Sequence, residues 1–162
     1  MAGETGLTHL DSEGGVSMVD VGGKKISQRE AVASAQVRML PATLDLLVRK
    51  ALPKGDVLTT ARVAGILGAK QTASLVPLTH PLALSFVEID FDVRQETSTI
   101  FISATVRCEG KTGVEIEAMT ACAIAALTIY DMCKSAEHGI TIDAIRLEKK
   151  SGGKSGTYVR GG

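Results

Sequence analysis

The sequence lacks tryptophan and asparagine altogether, and it contains only three phenylalanines and two tyrosines in 162 residues. Because single-stranded nucleic acids bind to platforms of aromatic rings, this composition disfavours such a function. The chain also has no excess of positive or negative charge, since 18 Lys and Arg are balanced by 18 Asp and Glu. A duplex binder needs positive charge to neutralise phosphates, so no nucleic acid is expected as a partner.

Cysteine is scarce, and the spacing of Cys108, Cys122 and Cys133 fits neither a metal site nor a set of disulfides. A reducing, cytoplasmic setting is therefore expected. Long hydrophobic runs are missing too, because the most apolar stretch, residues 118–130, is too short for a membrane span, and the polar N-terminus predicts no signal peptide. Hydrophobic residues still make up 44% of the chain, which is enough for the core of one domain.

Alternation of apolar and polar residues, which is typical of half-buried strands, recurs in several segments. The predicted strands are residues 31–39, the hairpin partners 87–93 and 100–106, residues 140–147, and a short early strand at 18–21 before a Gly22–Gly23 turn. The acidic side chains that alternate with the apolar ones in the first hairpin strand most simply form a wet outer surface of the sheet.

Helical periodicity and capping residues predict three helices between these strands. Pro41 opens the first helix, which is expected to continue to Pro53. Asp56 is the predicted N-cap of a second helix, which reaches about residue 72 and carries small residues suited to close packing. The longest helix is expected over residues 114–137, with Gly139 as its C′ residue.

The resulting order is strand, helix, helix, hairpin, helix, strand, which predicts an α/β (α+β) fold. We expect a ferredoxin-like antiparallel sheet with helices packed on one face, plus an extra helix and the early strand. The expected organisation is a flexible N-terminal segment at 1–15, a single ferredoxin-like domain at 16–150, and a flexible, basic, glycine-rich tail at 151–162.

On the longest helix, Glu117, Asp131 and Lys134 fall on one stripe at 100° per residue. Asp131 and Lys134 can pair, either as an ordinary surface ion pair or as a proton donor and acceptor couple. Taken by itself, such a pair more often has the first role, but the stripe between the polar ends is apolar, which indicates a packed pair and weakens that interpretation. Glu117 and Asp131 are separated by about 21 Å along the helix, so one compact end of a ligand cannot touch both.

Two prolines flank His80 in the segment VPLTHPL, residues 76–82. Prolines leave such a loop few conformations, which suits a positioned histidine, although a rigid turn with an incidental histidine fits equally well. The other histidines, His9 and His138, have no neighbours at metal-ligand spacing, so a metal site is not expected.

Lysines and glycines coincide in Lys54–Gly55, near Lys70 and in KKSGGKSG at residues 149–156. Glycine-rich backbone beside lysine suits a phosphate or another anion, whereas the charge alone fits a solvated tail better. The segment is not a Walker A loop, because Glu148 stands where the first glycine of that motif would be.

Six segments occur in the order MVDVG, KGDVLTTARVAGILGAK, PLTHPL, KTGVEIEAMT, ALTIYDMCK and KSGGKSG. Together, from about residue 7 to residue 156, they resemble the cyclic pyranopterin monophosphate synthase family of molybdenum cofactor biosynthesis. The resemblance implies a lyase that converts a cyclised dihydro-GTP into the pterin product and releases pyrophosphate. It also implies a homohexamer built as a trimer of dimers. The sequence requires no cofactor, and Mg²⁺ could accompany the triphosphate.

By the same resemblance, the catalytic residues are Asp131, Lys134 and Lys54. The residues implied in substrate binding are Leu78, Thr79, His80, Glu115, Ile116, Glu117, Met119, Thr120, Lys70 and Lys150. Ile116 and Met119 depart from the common family pattern, and Thr79 stands where the family commonly has cysteine. We expect Thr79 to position the loop, because threonine is less acidic and less nucleophilic than cysteine.

The helix length and the resemblance together predict a composite site. One subunit would supply the PLTHPL and GVEIE segments, and another would supply Asp131 with its lysines. A regulatory module that binds nucleotides without converting them is the alternative, since it needs pockets and cations but no Asp–Lys pair. A pure scaffold subunit, which should bind no nucleotide, is the third.

Overall fold

The computed structural model describes residues 15–161. Its elements follow in the order β1 (Ser27–Arg38), α1 (Pro41–Val48), α2 (Val57–Lys70), α3 (Thr72–Leu75), β2 (Leu84–Arg94), β3 (Thr99–Gly110), α4 (Glu115–Cys133), β4 (Thr141–Ser151) and β5 (Tyr158–Val159). The predicted order of strands and helices is confirmed, and α3 and β5 are additions to it.

The strands form one antiparallel sheet in the order β2-β3-β1-β4-β5. On one face of the central strand β1, every second residue from Ala31 to Val37 is fully buried. α4 packs on that face against β1, β3 and β4, and α2 packs against β2 and α4. The helices thus cover one face of the sheet, and the predicted ferredoxin-like α+β fold is confirmed.

The two long helices approach each other closely because α2 carries glycines at the contact. A side chain at Gly65 would overlap with Ile89 of β2 and would come within 2.9 Å of the Ala121 carbonyl oxygen. A side chain at Gly68 would come within 2.8 Å of Ile124. The close packing predicted from the small residues of this helix is therefore confirmed.

The start of α2 was predictable, whereas the end of α1 was not. The Asp56 side chain caps α2 by accepting a hydrogen bond from the Thr59 N–H at 3.1 Å, as predicted. α1 ends at Val48, so the expectation that it continues to Pro53 is wrong. Lys50 closes it with a φ of 55°, a position that glycine usually occupies, and a lysine therefore gave no signal.

The end of α4 also differs from the prediction. The helix ends at Cys133 with Lys134 as its C-cap, several residues before the expected end at 137. The backbone then tightens into a turn in which the Ala136 N–H donates to the Cys133 carbonyl oxygen at 2.9 Å. Gly139 does not adopt the positive φ of a C′ residue, so the role predicted for it is wrong.

Residues 18–21 form no strand, and the predicted early strand is wrong. The Asp20 carboxylate accepts a hydrogen bond from the Gly22 N–H at 2.7 Å, and the Lys24 N–H donates to the Val21 carbonyl oxygen at 3.1 Å. These local bonds turn the chain instead of extending it. The predicted Gly22–Gly23 turn is confirmed.

The structure describes the two predicted end segments to different extents. The segment at 1–15, with His9, lies almost wholly outside the described residues. The segment at 151–162 begins with the last residue of β4 and contains β5, which pairs with Lys149 and Lys150. The flexibility of both segments stays a prediction.

α4 has the length and composition of a membrane-crossing helix, and it is the single such helix between residues 15 and 161. Half of its most apolar 18-residue stretch is buried inside the protein. The core helix of a soluble protein has the same length and composition, so this feature is weak evidence for a membrane.

Candidate functional site

Asp131 lies near the C-terminal end of α4 between two lysines. Its carboxylate oxygens are 2.7 Å from Lys134 Nζ and 2.7 Å from Lys54 Nζ. Lys54 also donates to the backbone carbonyl oxygen of Asp131 at 2.9 Å, which ties the loop before α2 to the end of α4. All three side chains are about half exposed. The predicted Asp131–Lys134 pair exists, but the packed environment expected for it is wrong.

The two ammonium groups keep the Asp131 carboxyl ionised. The hydrogen bond from Lys134, together with the one from Lys54, lowers the pKa of Asp131 to about 2. The same hydrogen bond raises the pKa of Lys134. In the chain by itself, Lys134 is therefore a protonated donor and Asp131 is an ionised acceptor.

A pocket of about 510 Å³ lies at the other end of α4, between the PLTHPL loop and the first helical turn. Six residues predicted for substrate binding line it, namely Leu78, Thr79, His80, Glu115, Ile116 and Glu117. We call this the His80 pocket. The Thr79 hydroxyl donates to the Val76 carbonyl oxygen at 2.8 Å, so it is engaged with its own loop.

Glu117 differs from Asp131 in being buried, with only 4% of its surface exposed. Burial raises the pKa of the Glu117 carboxyl, and the neighbouring Glu115 carboxylate raises it further. A carboxyl in such surroundings can hold a proton at a pH where an exposed one is ionised. The two ends of α4 thus carry carboxyl groups with opposite proton preferences.

A larger pocket, of about 920 Å³, adjoins the His80 pocket, and Glu115 is among the residues that line both. Its cationic side chains are Lys24, Lys25, Arg29, Lys111, Lys150 and Lys154. Two carboxylates, Glu30 and Glu115, also line it, and Glu115 is 2.8 Å from Lys150 Nζ. Six cations against two carboxylates suit this basic pocket to a polyanion.

Within the described chain, the two pockets lie apart from the cluster formed by Asp131, Lys54 and Lys134. The His80 pocket and the basic pocket lie at the N-terminal end of α4, and Asp131 with its lysines lies near the C-terminal end. Glu117 and Asp131 are separated by about 21 Å of helix rise.

Three predicted residues lie away from both clusters. Lys70 is exposed at the end of α2 and lines a separate depression beside the start of β2. Met119 packs against the hydrophobic core. Thr120 is half-buried and lines neither the His80 pocket nor the basic pocket.

Sequence analysis missed four cations of the basic pocket, Lys24, Lys25, Arg29 and Lys111. Arg29 lies on β1, which starts earlier than the alternation predicted, and donates to the carbonyl oxygens of Gly110 and Lys111 at 3.3 Å each. Arg29 comes close to Gly110 and Lys111 only through the register between β1 and β3. The basic run KKISQR at residues 24–29 was the one available signal.

The chain is similar to known proteins over most of its length. The model of the MoaC family matches residues 18–153. A protein of Roseiflexus sp. (strain RS-1) is 57% identical over 153 residues, which cover 94% of this chain and 97% of that protein. A protein of Herpetosiphon aurantiacus is 55% identical over 152 residues, covering 94% of this chain and 93% of that protein.

A protein of Oleidesulfovibrio alaskensis is 52% identical over 154 residues, which cover 95% of this chain and 97% of that protein. All three relatives carry the name cyclic pyranopterin monophosphate synthase. The family match includes Lys54, Asp131 and Lys134 and every residue that lines the His80 pocket. The chain therefore belongs to the MoaC family.

Proposed function

We propose that this chain is a cyclic pyranopterin monophosphate synthase, a cytoplasmic lyase of molybdenum cofactor biosynthesis. Its substrate is a cyclised dihydro-GTP in which guanine C8 is bonded to ribose C3′, and it releases pyrophosphate. The observation that carries the proposal is the junction of the basic pocket with the His80 pocket. A purine-derived ring joined to a triphosphate needs these two environments side by side.

The triphosphate belongs in the basic pocket. In the proposed step, a hydroxyl of the ribose-derived chain attacks the α-phosphorus, the bond from that phosphorus to pyrophosphate breaks, and the hydroxyl proton passes to a base. Arg29, Lys111 and Lys150 stabilise the negative charge that develops on the leaving group. Mg²⁺ is proposed as a counter-ion that enters with the triphosphate.

The guanine-derived rings belong in the His80 pocket. Opening and rebuilding these rings requires repeated proton transfers, which positioned side chains accelerate. His80 and Glu117 line the same pocket, and the raised pKa of Glu117 makes its carboxyl better suited to hold and deliver a proton than an exposed glutamate. Leu78 and Ile116 supply apolar contacts beside them.

Asp131, Lys54 and Lys134 are the proposed catalytic groups, and a second subunit supplies them to each site. The support is geometric, because about 21 Å of helix separates Asp131 from Glu117 within one chain. The assembly is proposed to be a homohexamer formed as a trimer of dimers. A substrate that draws either lysine away from Asp131 would raise the pKa of this carboxyl and make it a better base.

The Asp131→Asn and Lys54→Ala variants are each expected to abolish turnover and to leave assembly intact. Their side chains are half exposed, so the fold depends little on them. Pyrophosphate release and size-exclusion chromatography measure the two properties. A variant that loses the oligomer and regains activity on reassembly would show a structural role instead.

The proposed function is tested by anaerobic incubation of the protein with the cyclised dihydro-GTP, followed by measurement of pyrophosphate and of the oxidised, fluorescent pterin. Equal amounts of both products are expected. A folded protein that binds the substrate and forms neither product would contradict the proposal and favour a regulatory module. A protein that binds no nucleotide would favour a scaffold subunit.

A further inference from the structure

The last described residues fold back onto the sheet next to the basic pocket. β5 pairs with Lys149 and Lys150 of β4. Arg160 then fixes the end of this segment, because its backbone N–H donates to the Glu148 carbonyl oxygen at 2.8 Å and its Nε donates to the Leu147 carbonyl oxygen at 2.7 Å. We call residues 158–160 the C-terminal strap.

Between β4 and the strap, residues 152–156 form a loop that lies directly against Arg29. Gly152 and Gly153 have φ values of 95° and 76°, which favour glycine. A Cβ atom at Gly152 would overlap with the Gln28 carbonyl oxygen, and one at Gly153 would overlap with the Arg29 guanidinium. Both glycines are therefore needed for this close approach.

The loop brings a cation to the basic pocket beside Arg29. Lys154 lies on the loop and lines that pocket. Over residues 15–161, neither Lys154 nor Arg29 has a carboxylate within ion-pair distance, and Arg29 is held by carbonyl oxygens instead. Lys150 differs, since Glu115 already pairs with it. Lys154 and Arg29 thus keep their positive charge available to a ligand.

We propose that the C-terminal strap fastens this loop over the basic pocket, and that Arg160 is a positioning residue that sets the affinity of the pocket for pyrophosphate-containing ligands. The inference rests on the proposed function, because that function supplies the triphosphate. A glycine-rich loop fixed at both ends loses less conformational entropy when it closes on an anion. Arg160 touches no reacting atom, so its loss raises KM and leaves kcat nearly unchanged.

The test measures the dissociation constant of inorganic pyrophosphate by calorimetry, with the intact purified protein. Arg160→Ala is expected to weaken binding about three- to tenfold, the effect of losing one anchoring hydrogen bond. Arg160→Lys should restore part of this loss. Arg146→Ala is the matched control, because Arg146 also pairs with Glu148 but makes no bond to the strap.

A double-mutant cycle separates positioning from general destabilisation. If the strap acts by placing Lys154, Lys154→Ala costs less affinity in the Arg160→Ala background than in the unmodified chain. Gly153→Ala supplies a second route, because its Cβ would overlap with the Arg29 guanidinium, whereas residue 153 takes part in neither of the Arg160 hydrogen bonds. It is expected to weaken pyrophosphate binding as Arg160→Ala does.

Unchanged pyrophosphate affinity in Arg160→Ala would overturn the inference, and so would fully additive effects of Arg160→Ala and Lys154→Ala. An equal loss in Arg146→Ala would overturn it as well. These outcomes are distinct from failure of the proposed function, which is measured by product formation in the unmodified chain. Pyrophosphate binding reports on the strap even if no pterin is formed.

Discussion

At the scale of single residues, the two carboxyl groups of α4 show how environment sets chemistry. Asp131 is exposed and bonded to two ammonium groups, and its pKa falls to about 2. Glu117 is buried beside another carboxylate, and its pKa rises. Sequence periodicity placed both on one stripe of one helix, but it contains no information on burial at each end. Only the folded chain distinguishes a carboxyl whose pKa is lowered from one whose pKa is raised.

Glu117→Gln is expected to stabilise the fold at neutral pH while it impairs turnover. Burial raises the pKa of the Glu117 carboxyl. The stability that this residue contributes is therefore fully present below the unfolded pKa of about 4.5, and it is lost as the pH rises through the folded pKa. Glutamine is neutral throughout and avoids that loss. The thermal midpoint at pH 7.5 should rise by about 2–4 °C per kcal/mol of relief, and the difference should vanish near pH 4.

Glu109→Gln is the control for this measurement, because Glu109 is exposed on the sheet. Its thermal midpoint should follow that of the unmodified chain at every pH. A Glu117→Gln variant that is less stable than the unmodified chain at pH 7.5 would contradict the assigned cost of burying the charge.

Thr79 is expected to act through its hydrogen bond to the Val76 carbonyl oxygen, not through chemistry of its own. Thr79→Ser keeps this bond and should retain kcat/KM. Thr79→Val has the same shape without the hydroxyl donor, and loss of about 1 kcal/mol predicts a roughly fivefold lower kcat/KM. Steady-state pyrophosphate release measures both variants. Equal activity of the valine and serine variants would remove the positioning role.

Residue-level prediction succeeded where the signal was local. The Asp56 cap and the Gly22–Gly23 turn each depend on a few neighbouring residues. Lys50 in the left-handed region was not predictable, because its side chain favours no such conformation. Arg29 was missed because its partners come from the end of β3, about eighty positions further along the chain.

At the scale of elements, the contact between α2 and α4 fixes the positions of Lys54 and Asp131 relative to each other. Gly65 and Gly68 let the helices approach, and Lys54 lies in the loop that leads into α2. The small residues predicted this contact correctly, since periodicity and residue size are visible in the sequence. The helix ends were less predictable, because the turn after Cys133 depends on local bonds that several sequences could form.

Gly65→Ala is expected to destabilise the fold by about 1–3 kcal/mol, because the added methyl group overlaps with Ile89 and crowds the Ala121 carbonyl oxygen. Urea unfolding measures the effect. Gly23→Ala is the control, since a Cβ there meets no atom within 4 Å, and it should change stability by less than about 0.5 kcal/mol. Equal stability of the two variants would mean that the helices can separate without cost.

At the scale of the whole molecule, a net charge of zero conceals a strong local separation of charge. Six cations gather at the basic pocket, whereas β2 presents exposed acidic side chains at Glu88, Asp90 and Asp92. Composition gave no reason to expect a nucleic-acid partner, and it could not reveal the basic pocket. The pocket forms because the pairing of β1 with β3 and β4 brings together cations that are distant in the sequence.

A composite site predicts recovery of activity when inactive subunits are mixed. Asp131→Ala disables one half of the site and His80→Ala disables the other, so each variant by itself should be inactive. In randomly mixed symmetric dimers, about one quarter of the sites combine two intact halves, and about one quarter of the activity should return. Pyrophosphate release is measured after subunit exchange, which mass spectrometry verifies. Mixed assemblies without activity would contradict the composite site.

The length of α4 determines where the chain can accept an inserted residue. The helix carries the His80 pocket at one end and Asp131 at the other, so the two halves of the proposed composite site share one rigid axis. One inserted residue would rotate the second half-site by about 100° and shift it by about 1.5 Å. The hairpin turn at residues 95–98 could lengthen with little effect on either half. The residue count of α4 is thus a functional dimension of the molecule, independent of how well the helix packs.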